Sequence, residues 1–302
     1  MSRRVLVTGA AGFLGRPCLP RLAAAGFEVH AVSSRTRRPG ELGVDHWHRL
    51  SLLDAGESRR ALQAVRPSHL LHLAWITTPG VYWSSAENRP WLASSRALFE
   101  AFFAAGGERA LGAGTCAEYD WSGAGYYDEQ TSRLDPASLY GQCKAAAWAA
   151  CQDAAARAGA QAAWARLFYP YGPGEPPQRL VSSLVLNLLE GRTADCTSGR
   201  QLRDFIYVDD AADALVTLLA SSAGGAFNVG SGVPTLVRDV ANLVGAAIGR
   251  PELVNPGGLP DRPGDPDCIV ARIERLTGLG WRARVPLRQG IDETIAFYTR
   301  RK

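Results

Sequence analysis

The sequence lacks an apolar run long enough to cross a lipid bilayer, which requires about eighteen consecutive residues. The arginine pair Arg3 and Arg4, followed by an apolar run, resembles the start of a signal peptide. Gly9, Gly12 and Arg16 interrupt the apolar segment too early for that function. We therefore predict no membrane association and expect a cytoplasmic protein.

Paired cysteine motifs of the Cys-x-x-Cys kind are also missing. A chain of 302 residues can bury a large core, so it does not need disulfides to be stable. Reduced thiols in a cytosolic protein are the prediction. The cysteines concerned are Cys18, Cys116, Cys143, Cys151, Cys196 and Cys268.

The chain carries little net charge, with a formal value of +4. Its arginines are scattered, apart from a cluster at residues 35–38 and the basic end at residues 300–302. A nucleic-acid-binding protein needs a broader basic face, so no nucleic-acid partner is predicted. The first cluster is interpreted either as an anion site or as a solvated loop.

Short apolar runs alternate regularly with segments of helical period. This alternation predicts an α/β fold, a Rossmann-type doubly wound parallel sheet with a smaller C-terminal substrate lobe. The expected domains are a dinucleotide-binding domain at residues 1–165, to which residues 204–230 return, and a substrate lobe formed mostly by residues 166–302. Predicted strands cover residues 5–7, 27–32, 68–74 and 109–115, and predicted helices cover residues 19–25, 55–65, 92–105 and 145–158.

The first predicted strand leads directly into a glycine-rich turn. Gly9 can adopt a turn conformation that is closed to other residues, and Gly12 lets the backbone approach a pyrophosphate at the helix N-terminus. Gly15 allows close packing of the helix on the strand. An ordinary glycine turn between strand and helix is the alternative.

The second predicted strand ends without the acidic residue that binds the adenosine ribose in NAD enzymes of this architecture. Ser33, Ser34 and Arg35 stand there instead. A hydroxyl followed by a guanidinium suits a 2′-phosphate, which favours NADP over NAD. The alternative is a solvated surface arginine.

Aromatic and turn-forming residues fill positions 75–83, directly after the third predicted strand. Ligands bind at the carboxyl ends of the strands in a doubly wound sheet, so this loop is a candidate substrate contact. A packed surface loop explains the pattern equally well.

Tyr140 and Lys144 lie four residues apart at the start of a predicted helix, a spacing that places them on one face. A nearby ammonium lowers the pKa of a phenol, so the tyrosine could exchange a proton near neutral pH. Chance pairs with this spacing are common on protein surfaces. The order of glycine turn, strand-end Thr115 and Tyr-x-x-x-Lys strengthens the functional interpretation.

With these features the chain resembles the extended short-chain dehydrogenase/reductase family of nucleotide-sugar epimerases, dehydratases and ketoreductases. The resemblance continues at residues 166–174, 203–210, 227–232 and 261–265. It implies that Thr115, Tyr140 and Lys144 surround a reacting carbonyl. It also implies cofactor contacts at Gly9, Gly12, Phe13, Leu14, Gly15, Ser33, Ser34, Arg35, Ser51, Leu52, Leu73, Ala74, Tyr140, Lys144, Tyr169 and Pro170, and substrate contacts at Trp75, Thr115, Cys116, Tyr169, Arg203 and Arg262.

The two arginines in that substrate set are candidate diphosphate ligands, because a guanidinium fork fits phosphate oxygens. Either could instead be a surface salt-bridge residue. No metal site is predicted.

Departures from the family pattern reduce the number of reactions that the chain is expected to catalyse. Cys116 and Ala117 stand where sugar 4,6-dehydratases carry Asp-Glu, which argues against dehydration. No histidine follows His72, which argues against an epimerase-reductase using a Cys and a His. Ser51 replaces an Asp that often contacts adenine, and Tyr169 replaces an Asn that often faces the sugar.

The sequence therefore predicts an NADPH-dependent reductase that converts a nucleoside-diphosphate 4-keto-6-deoxy sugar into the 4-hydroxy sugar. An NAD-dependent nucleotide-sugar 4-epimerase is the main alternative. A non-catalytic dinucleotide-sensing protein is a more remote one. The resemblance also implies a homodimer formed through helices 92–105 and 145–158.

Overall fold

The computed structural model describes residues 3–37, 39–123 and 125–301. Arg38 and Lys302, which belong to the two basic clusters, lie outside the described residues. The strands are β1 (Arg3–Thr8), β2 (Phe27–Ser33), β3 (His46–Arg49), β4 (His69–His72), β5 (Arg109–Thr115), β6 (Tyr126–Tyr127), β7 (Gln161–Leu167), β8 (Tyr169–Tyr171), β9 (Ala194–Cys196), β10 (Leu202–Tyr207), β11 (Gly225–Val229), β12 (Pro234–Leu236), β13 (Val254–Pro256) and β14 (Cys268–Ala271). The α-helices are α1 (Gly15–Ala24), α2 (Ala55–Val65), α3 (Asn88–Ala104), α4 (Leu139–Ala158), α5 (Leu180–Leu189), α6 (Val208–Ala220), α7 (Val237–Ile248), α8 (Glu274–Thr277) and α9 (Leu287–Thr299).

The main sheet is parallel throughout and has the strand order β11-β7-β5-β4-β1-β2-β3. The chain runs from β1 outwards to β3 and then returns to the other side of β1 through β4. Strand order therefore reverses between β1 and β4, and a crevice at the carboxyl ends of these strands is the expected ligand position. The predicted Rossmann-type doubly wound fold is confirmed.

Helices cover both faces of this sheet because successive residues of a strand point to opposite sides. Leu71 and Leu111 pack into one apolar cluster with α1 and α6. Leu70 and Ala110 pack into a second cluster with α3 and α4. Burial on both faces explains why the central strands are apolar at almost every position.

Most of the predicted elements occur close to their expected positions. The strand at 109–115 and the helix at 55–65 have the predicted bounds. The alanine-rich helix begins earlier than predicted, at Leu139, because the Ser138 side chain accepts a hydrogen bond from the Gly141 backbone N–H and caps it. Helix α1 also begins earlier than predicted and runs continuously through Pro20.

A smaller sheet lies on the C-terminal side, in the order β12-β10-β14-β6, with β8 also paired to β10. Its apolar cluster includes Tyr171, Val185, Phe205 and Val240. Strand β11 returns to the main sheet beside β7. The domain boundary at residue 165 stays a prediction, since β7 extends across it.

None of the helices in the described part of the chain is both long enough and apolar enough to cross a membrane.

Candidate active site

The glycine turn between β1 and α1 has no space for side chains. Gly9 has φ +67°, and a Cβ there would lie 2.8 Å from the Ala74 backbone nitrogen. A Cβ on Gly15 would lie 2.3 Å from the Gly9 carbonyl oxygen. Among the described residues no side chain caps α1, and the backbone N–H groups of Phe13 and Leu14 have no partner, so these two remain available to an anion.

A buried histidine joins the end of β1 to the end of β4. The Thr8 hydroxyl lies 2.7 Å from His72 Nδ1 and accepts hydrogen bonds from the backbone N–H groups of Leu73 and Ala74. Burial lowers the pKa of His72 to about 3, so this histidine is neutral at neutral pH. These contacts fix Leu73 and Ala74 against the glycine turn.

Helix α4 places Tyr140 and Lys144 on one face, beside the end of β5. Both residues are buried, and the Lys144 ammonium donates a hydrogen bond of 2.8 Å to the Ala113 carbonyl oxygen. It also lies 4.1 Å from the ring centre of Trp75. Thr115, the last residue of β5, forms a side-chain hydrogen bond with Tyr140. The structure thus brings together Thr115, Tyr140 and Lys144.

Burial is the largest influence on the pKa values of Tyr140 and Lys144. Burial raises the pKa of the Tyr140 phenol, and the Thr115 hydrogen bond and the Arg179 guanidinium oppose that rise. Burial also lowers the pKa of Lys144 to about 7, against the raising effect of the Glu118 carboxylate. Arg179 is thus a cation, not foreseen from the sequence, that lowers the pKa of Tyr140, and the same effect of Lys144 stays a prediction.

Glu118 is completely buried directly behind Thr115. Its Oε1 accepts hydrogen bonds of 2.9 Å from the Thr115 backbone N–H and from Trp164 Nε1. Its Oε2 accepts one from Arg166 Nε at 2.9 Å, and this guanidinium also donates to the Tyr119 hydroxyl. The carboxylate therefore has partners on both oxygens, as a buried charge requires.

The aromatic loop after β4 packs directly on the Tyr140 ring. Tyr82 and Trp83 meet that ring edge to face, with centroid distances of 4.8 and 5.8 Å. The Trp83 carbonyl oxygen accepts a hydrogen bond of 3.1 Å from the Tyr140 backbone N–H. Both aromatic residues also line two adjoining cavities, so the loop is at once a packed segment and a cavity wall.

The first cavity has a volume of about 320 Å³ and extends from the glycine turn to Thr115 and Tyr140. It has the dimensions of a small-molecule site. The predicted residues on its walls are Gly9, Gly12, Phe13, Leu14, Gly15, Leu73, Ala74, Trp75, Thr115, Cys116, Tyr140, Tyr169 and Pro170.

The second cavity, of about 380 Å³, shares Tyr82, Trp83, Tyr169 and Arg179 with the first and extends into the C-terminal lobe. It contains both predicted diphosphate ligands, Arg203 and Arg262. The two cavities, together the cleft, adjoin at shared residues that include Tyr169.

The two predicted phosphate arginines differ in their surroundings. Arg203 is buried and pairs with Asp265 at 2.7 Å, and it also donates to the Pro266 carbonyl oxygen. Arg262 is exposed, and no carboxylate pairs with it among the residues that the structure describes. Arg262 is thus the more available of the two for an anion.

The predicted adenosine contacts lie outside the first cavity, near the carboxyl end of β2. Ser33 Oγ accepts a hydrogen bond of 3.1 Å from the Arg35 backbone N–H, which turns the chain there. Arg35 is exposed and has no carboxylate partner in the described part of the chain. Ser51 is exposed, with its N–H bound to Glu57, whereas Leu52 is buried. Ser34 is exposed beside Arg35.

Cys116 lies on the first cavity wall as a protonated thiol, because burial raises its pKa to about 12. It is not an acid–base group near neutral pH.

Sequence reasoning missed two residues of the site. Arg179 lies just before α5 and reaches both cavities, but a single arginine after Pro-Pro-Gln carries no motif. Glu118 was noted only as a carboxylate near Thr115. Glu118 lies in the helical turn after β5 and reaches Trp164 and Arg166 of β7 only because β5 and β7 are neighbours in the folded sheet.

Known proteins share this architecture. Residues 5–230 match the sequence profile of the NAD dependent epimerase/dehydratase family. The UDP-glucose 4-epimerase of Mycolicibacterium smegmatis is 28% identical over 314 residues, covering 98% of each chain. The dTDP-6-deoxy-L-talose 4-dehydrogenase (NAD(P)(+)) of Kitasatospora kifunensis is 28% identical over 307 residues, covering 96% of this chain and 94% of its own.

Among solved structures, the UDP-glucose 4-epimerase of Thermus thermophilus in complex with NAD has a TM-score of 0.88 at 29% identity. That match covers 98% of this chain and 99% of the Thermus chain. Because the family profile spans three quarters of the sequence and the fold, glycine turn and Tyr-x-x-x-Lys helix agree with it, the chain belongs to the NAD dependent epimerase/dehydratase family and is an enzyme of the extended short-chain dehydrogenase/reductase type.

Proposed function

We propose that this enzyme uses NADPH to reduce a 4-keto-6-deoxy sugar carried on a nucleoside diphosphate to the 4-hydroxy sugar. The observation that carries the proposal is the carboxyl end of β2, where the exposed Arg35 stands in place of an acidic residue. A guanidinium there suits a 2′-phosphate, and a carboxylate would suit a ribose diol. A reductase consumes NADPH and must exchange it after each turnover, whereas an epimerase retains NAD and regenerates it. A site for NADPH therefore favours net reduction.

The cleft fits a dinucleotide along the first cavity. Within the glycine turn, the backbone N–H groups of Phe13 and Leu14 have no partner among the described residues and can bind a pyrophosphate. The nicotinamide end would then lie toward Lys144 and Tyr140, at the opposite end of the cavity. A bound NADPH supplies the hydride for ketone reduction.

The side chains around Thr115 supply the proton. Burial raises the pKa of Tyr140, so its hydroxyl carries a proton at neutral pH and can donate it to the developing alkoxide. Thr115 is hydrogen-bonded to Tyr140 and would hold the same oxygen. Arg179 and a charged Lys144 would stabilise the negative charge left on the phenolate.

The second cavity would hold the nucleotide portion of the substrate. Arg179 and Arg262 bring guanidinium groups to its walls, and guanidinium forks match diphosphate oxygens. Arg203 is already paired with Asp265, so its contact with a diphosphate would be shared with that carboxylate. The sugar would then lie near Tyr169, between the two cavities.

The relative from Kitasatospora kifunensis supports this choice of reaction. Its name describes oxidation at C4 of a 6-deoxy sugar on dTDP with NAD(P)+, which is the reverse of the reduction proposed here. No carboxylate follows Thr115 directly, where elimination of water would need acid–base groups. Cys116 is held as a thiol there.

A nucleotide-sugar 4-epimerase is the second candidate. Relatives with that activity match this chain over nearly its whole length, and the one from Thermus thermophilus was solved with NAD. The same three side chains could support oxidation followed by re-reduction at C4. A 4-epimerase would retain NAD through both steps.

The test is to purify the enzyme, identify any bound dinucleotide by mass spectrometry and follow absorbance at the NADPH band with dTDP- and UDP-linked 4-keto-6-deoxy sugars. Stoichiometric NADPH consumption and a 4-hydroxy product are expected. Tightly held NAD, no NADPH consumption and interconversion of UDP-glucose and UDP-galactose would establish the epimerase instead. The homodimer and the cytoplasmic location stay predictions.

A further inference from the structure

Four metal-ligating side chains lie together on the edge of the main sheet, away from the cleft. Strand β2 contributes Glu28 and His30, and strand β3 contributes His46 and His48. Alternate residues of a strand point to the same face. The register pairs His30 directly with His46, so the Glu-x-His and His-x-His segments place all four side chains on one surface patch.

Three of these side chains converge on a single point. One ligand atom from each of Glu28, His30 and His46 lies within 4.8 Å of the other two. The rings of His30 and His46 stack with centroids 4.6 Å apart and planes inclined by 13°. The nitrogen lone pairs lie in the ring planes, so binding of a common ion requires the exposed His46 ring to rotate out of this stack. That rotation would bring two imidazole nitrogens and one carboxylate oxygen to the ion.

His48 is placed to orient His30. Its Nε2 lies 3.0 Å from His30 Nδ1, while His30 Nε2 lies 2.9 Å from Glu28 Oε1. Without a metal, His30 Nε2–H donates to Glu28 Oε1 and His30 Nδ1 accepts a hydrogen bond from His48. A cation that replaced the Nε2 proton would bind both His30 Nε2 and the carboxylate, and the Nδ1–H of His30 would then donate to His48. Metal-ligating histidines commonly donate their second N–H to such a partner.

The surroundings of the cluster are compatible with a cation. Arg4, from β1, lies 3.3 Å from Glu28 Oε2, which leaves Oε1 directed at His30. His46 is exposed, so solvent can reach the convergence point and complete a coordination sphere.

We propose that Glu28, His30 and His46 bind one zinc ion, with His48 as a positioning residue. Two imidazoles and a carboxylate are ligands that zinc accepts, with water in the fourth position, whereas magnesium and calcium prefer oxygen ligands. The ion ties the edge strand β3 to β2. The site is independent of the proposed reductase activity, because it involves neither the glycine turn nor Tyr140.

The test is isothermal titration of the full-length, tag-free protein with Zn²⁺ after chelator treatment and its removal. One equivalent per chain is expected. His46→Ala is expected to lower the affinity by about tenfold or more, and Glu28→Gln to do likewise. Glu100→Gln, an exposed carboxylate on α3, is the matched control and should bind as the wild type does.

Variants of His48 test whether this residue orients His30 through a hydrogen bond or only packs against it. His48→Phe is expected to weaken Zn²⁺ binding by about 10- to 100-fold, and His48→Gln, which retains a hydrogen-bonding group, to recover part of that loss. Circular dichroism checks folding, and His46→Ala should fold normally because His46 is exposed. The proposal would be overturned if the wild type did not bind Zn²⁺. It would also be overturned if His46→Ala and Glu28→Gln bound Zn²⁺ with the same affinity as the wild type. Reductase activity bears only on the proposed function.

Discussion

Glu118 accepts a hydrogen bond of 2.9 Å from the backbone N–H of Thr115, three residues earlier in the chain. The same carboxylate is held by Arg166 on β7. The position of the Thr115 hydroxyl beside Tyr140 therefore depends on a buried ion pair between the short helical turn that follows β5 and strand β7. A residue without access to the cleft thus helps to set the geometry of the reacting group.

Replacement of Glu118 by Gln should destabilise the protein strongly. The Arg166 side chain is only 2% exposed, so loss of its partner leaves an uncompensated buried charge. The expected loss in the free energy of unfolding is about 3–5 kcal/mol, measured by urea denaturation. Glu100→Gln, at an exposed carboxylate, should change it by no more than about 0.5 kcal/mol. A loss as small as that control's would show that the buried pair contributes little.

Tyr140→Phe should remove the proton donor without disturbing the cleft. The ring and its contacts with Tyr82 and Trp83 remain, because only the hydroxyl is lost. The turnover number should fall by about 100- to 10,000-fold, whereas dinucleotide binding should change far less, because Tyr140 is one of many predicted cofactor contacts. Steady-state kinetics and fluorescence titration measure the two quantities. Tyr126→Phe, at an exposed tyrosine, is the control, and full turnover by Tyr140→Phe would refute the mechanism.

Reduction should slow as pH rises through about 7, the pKa to which burial lowers Lys144. Below that pH the ammonium is charged and stabilises the phenolate, and above it this charge disappears. The profile of kcat/KM reports this ionisation in the free enzyme. The Glu118 carboxylate raises the pKa of Lys144, so in Glu118→Gln the decline should begin at a lower pH. Identical pH profiles of kcat/KM for the wild type and Glu118→Gln would contradict the effect of Glu118 on the pKa of Lys144.

Arg35→Ala should shift cofactor preference from NADPH toward NADH. Loss of a charged hydrogen bond to a 2′-phosphate corresponds to about 10- to 100-fold in the ratio of the two kcat/KM values. Arg96→Ala, which removes an exposed arginine from α3, should leave the ratio unchanged. If both variants match the wild type, Arg35 is a solvated surface arginine.

Glu175→Gln should flatten the pH dependence of stability. Burial raises the pKa of Glu175 from 4.5 to about 7, against the lowering effects of Arg179 and Ser182. Because the pKa is higher in the folded state, protonation of Glu175 stabilises that state, and this contribution is fully present below pH 4.5. As pH rises from there to about 7, the free energy of unfolding loses roughly 1.4 kcal/mol per pH unit from this group. Denaturation at pH 5 and pH 8 should show a smaller difference for the variant. Glu252→Gln, at an exposed carboxylate, is the control and should show the same stability difference between pH 5 and pH 8 as the wild type. The same difference in Glu175→Gln would show that the Glu175 carboxyl does not contribute to this pH dependence.

The sequence alone determined the fold class, the glycine turn and the helix that carries Tyr140 and Lys144. Each of these rests on local physics. Strand and helix periods are properties of neighbouring residues, a left-handed turn favours glycine, and a four-residue step defines a helix face. Helix α4 nevertheless began earlier than predicted, because the Ser138 cap contributes no apolar periodicity.

Tertiary structure decided the electrostatics of the candidate site. Arg179 lowers the pKa of Tyr140 from the segment before α5, which is distant from Tyr140 in sequence but lines the same cavity. The near-neutral pKa of Lys144 and the pairing of Glu118 with Arg166 likewise arise only when β5, β7 and α4 pack together. Charge interactions depend on burial and on distances between residues far apart in sequence, and only packing fixes these quantities.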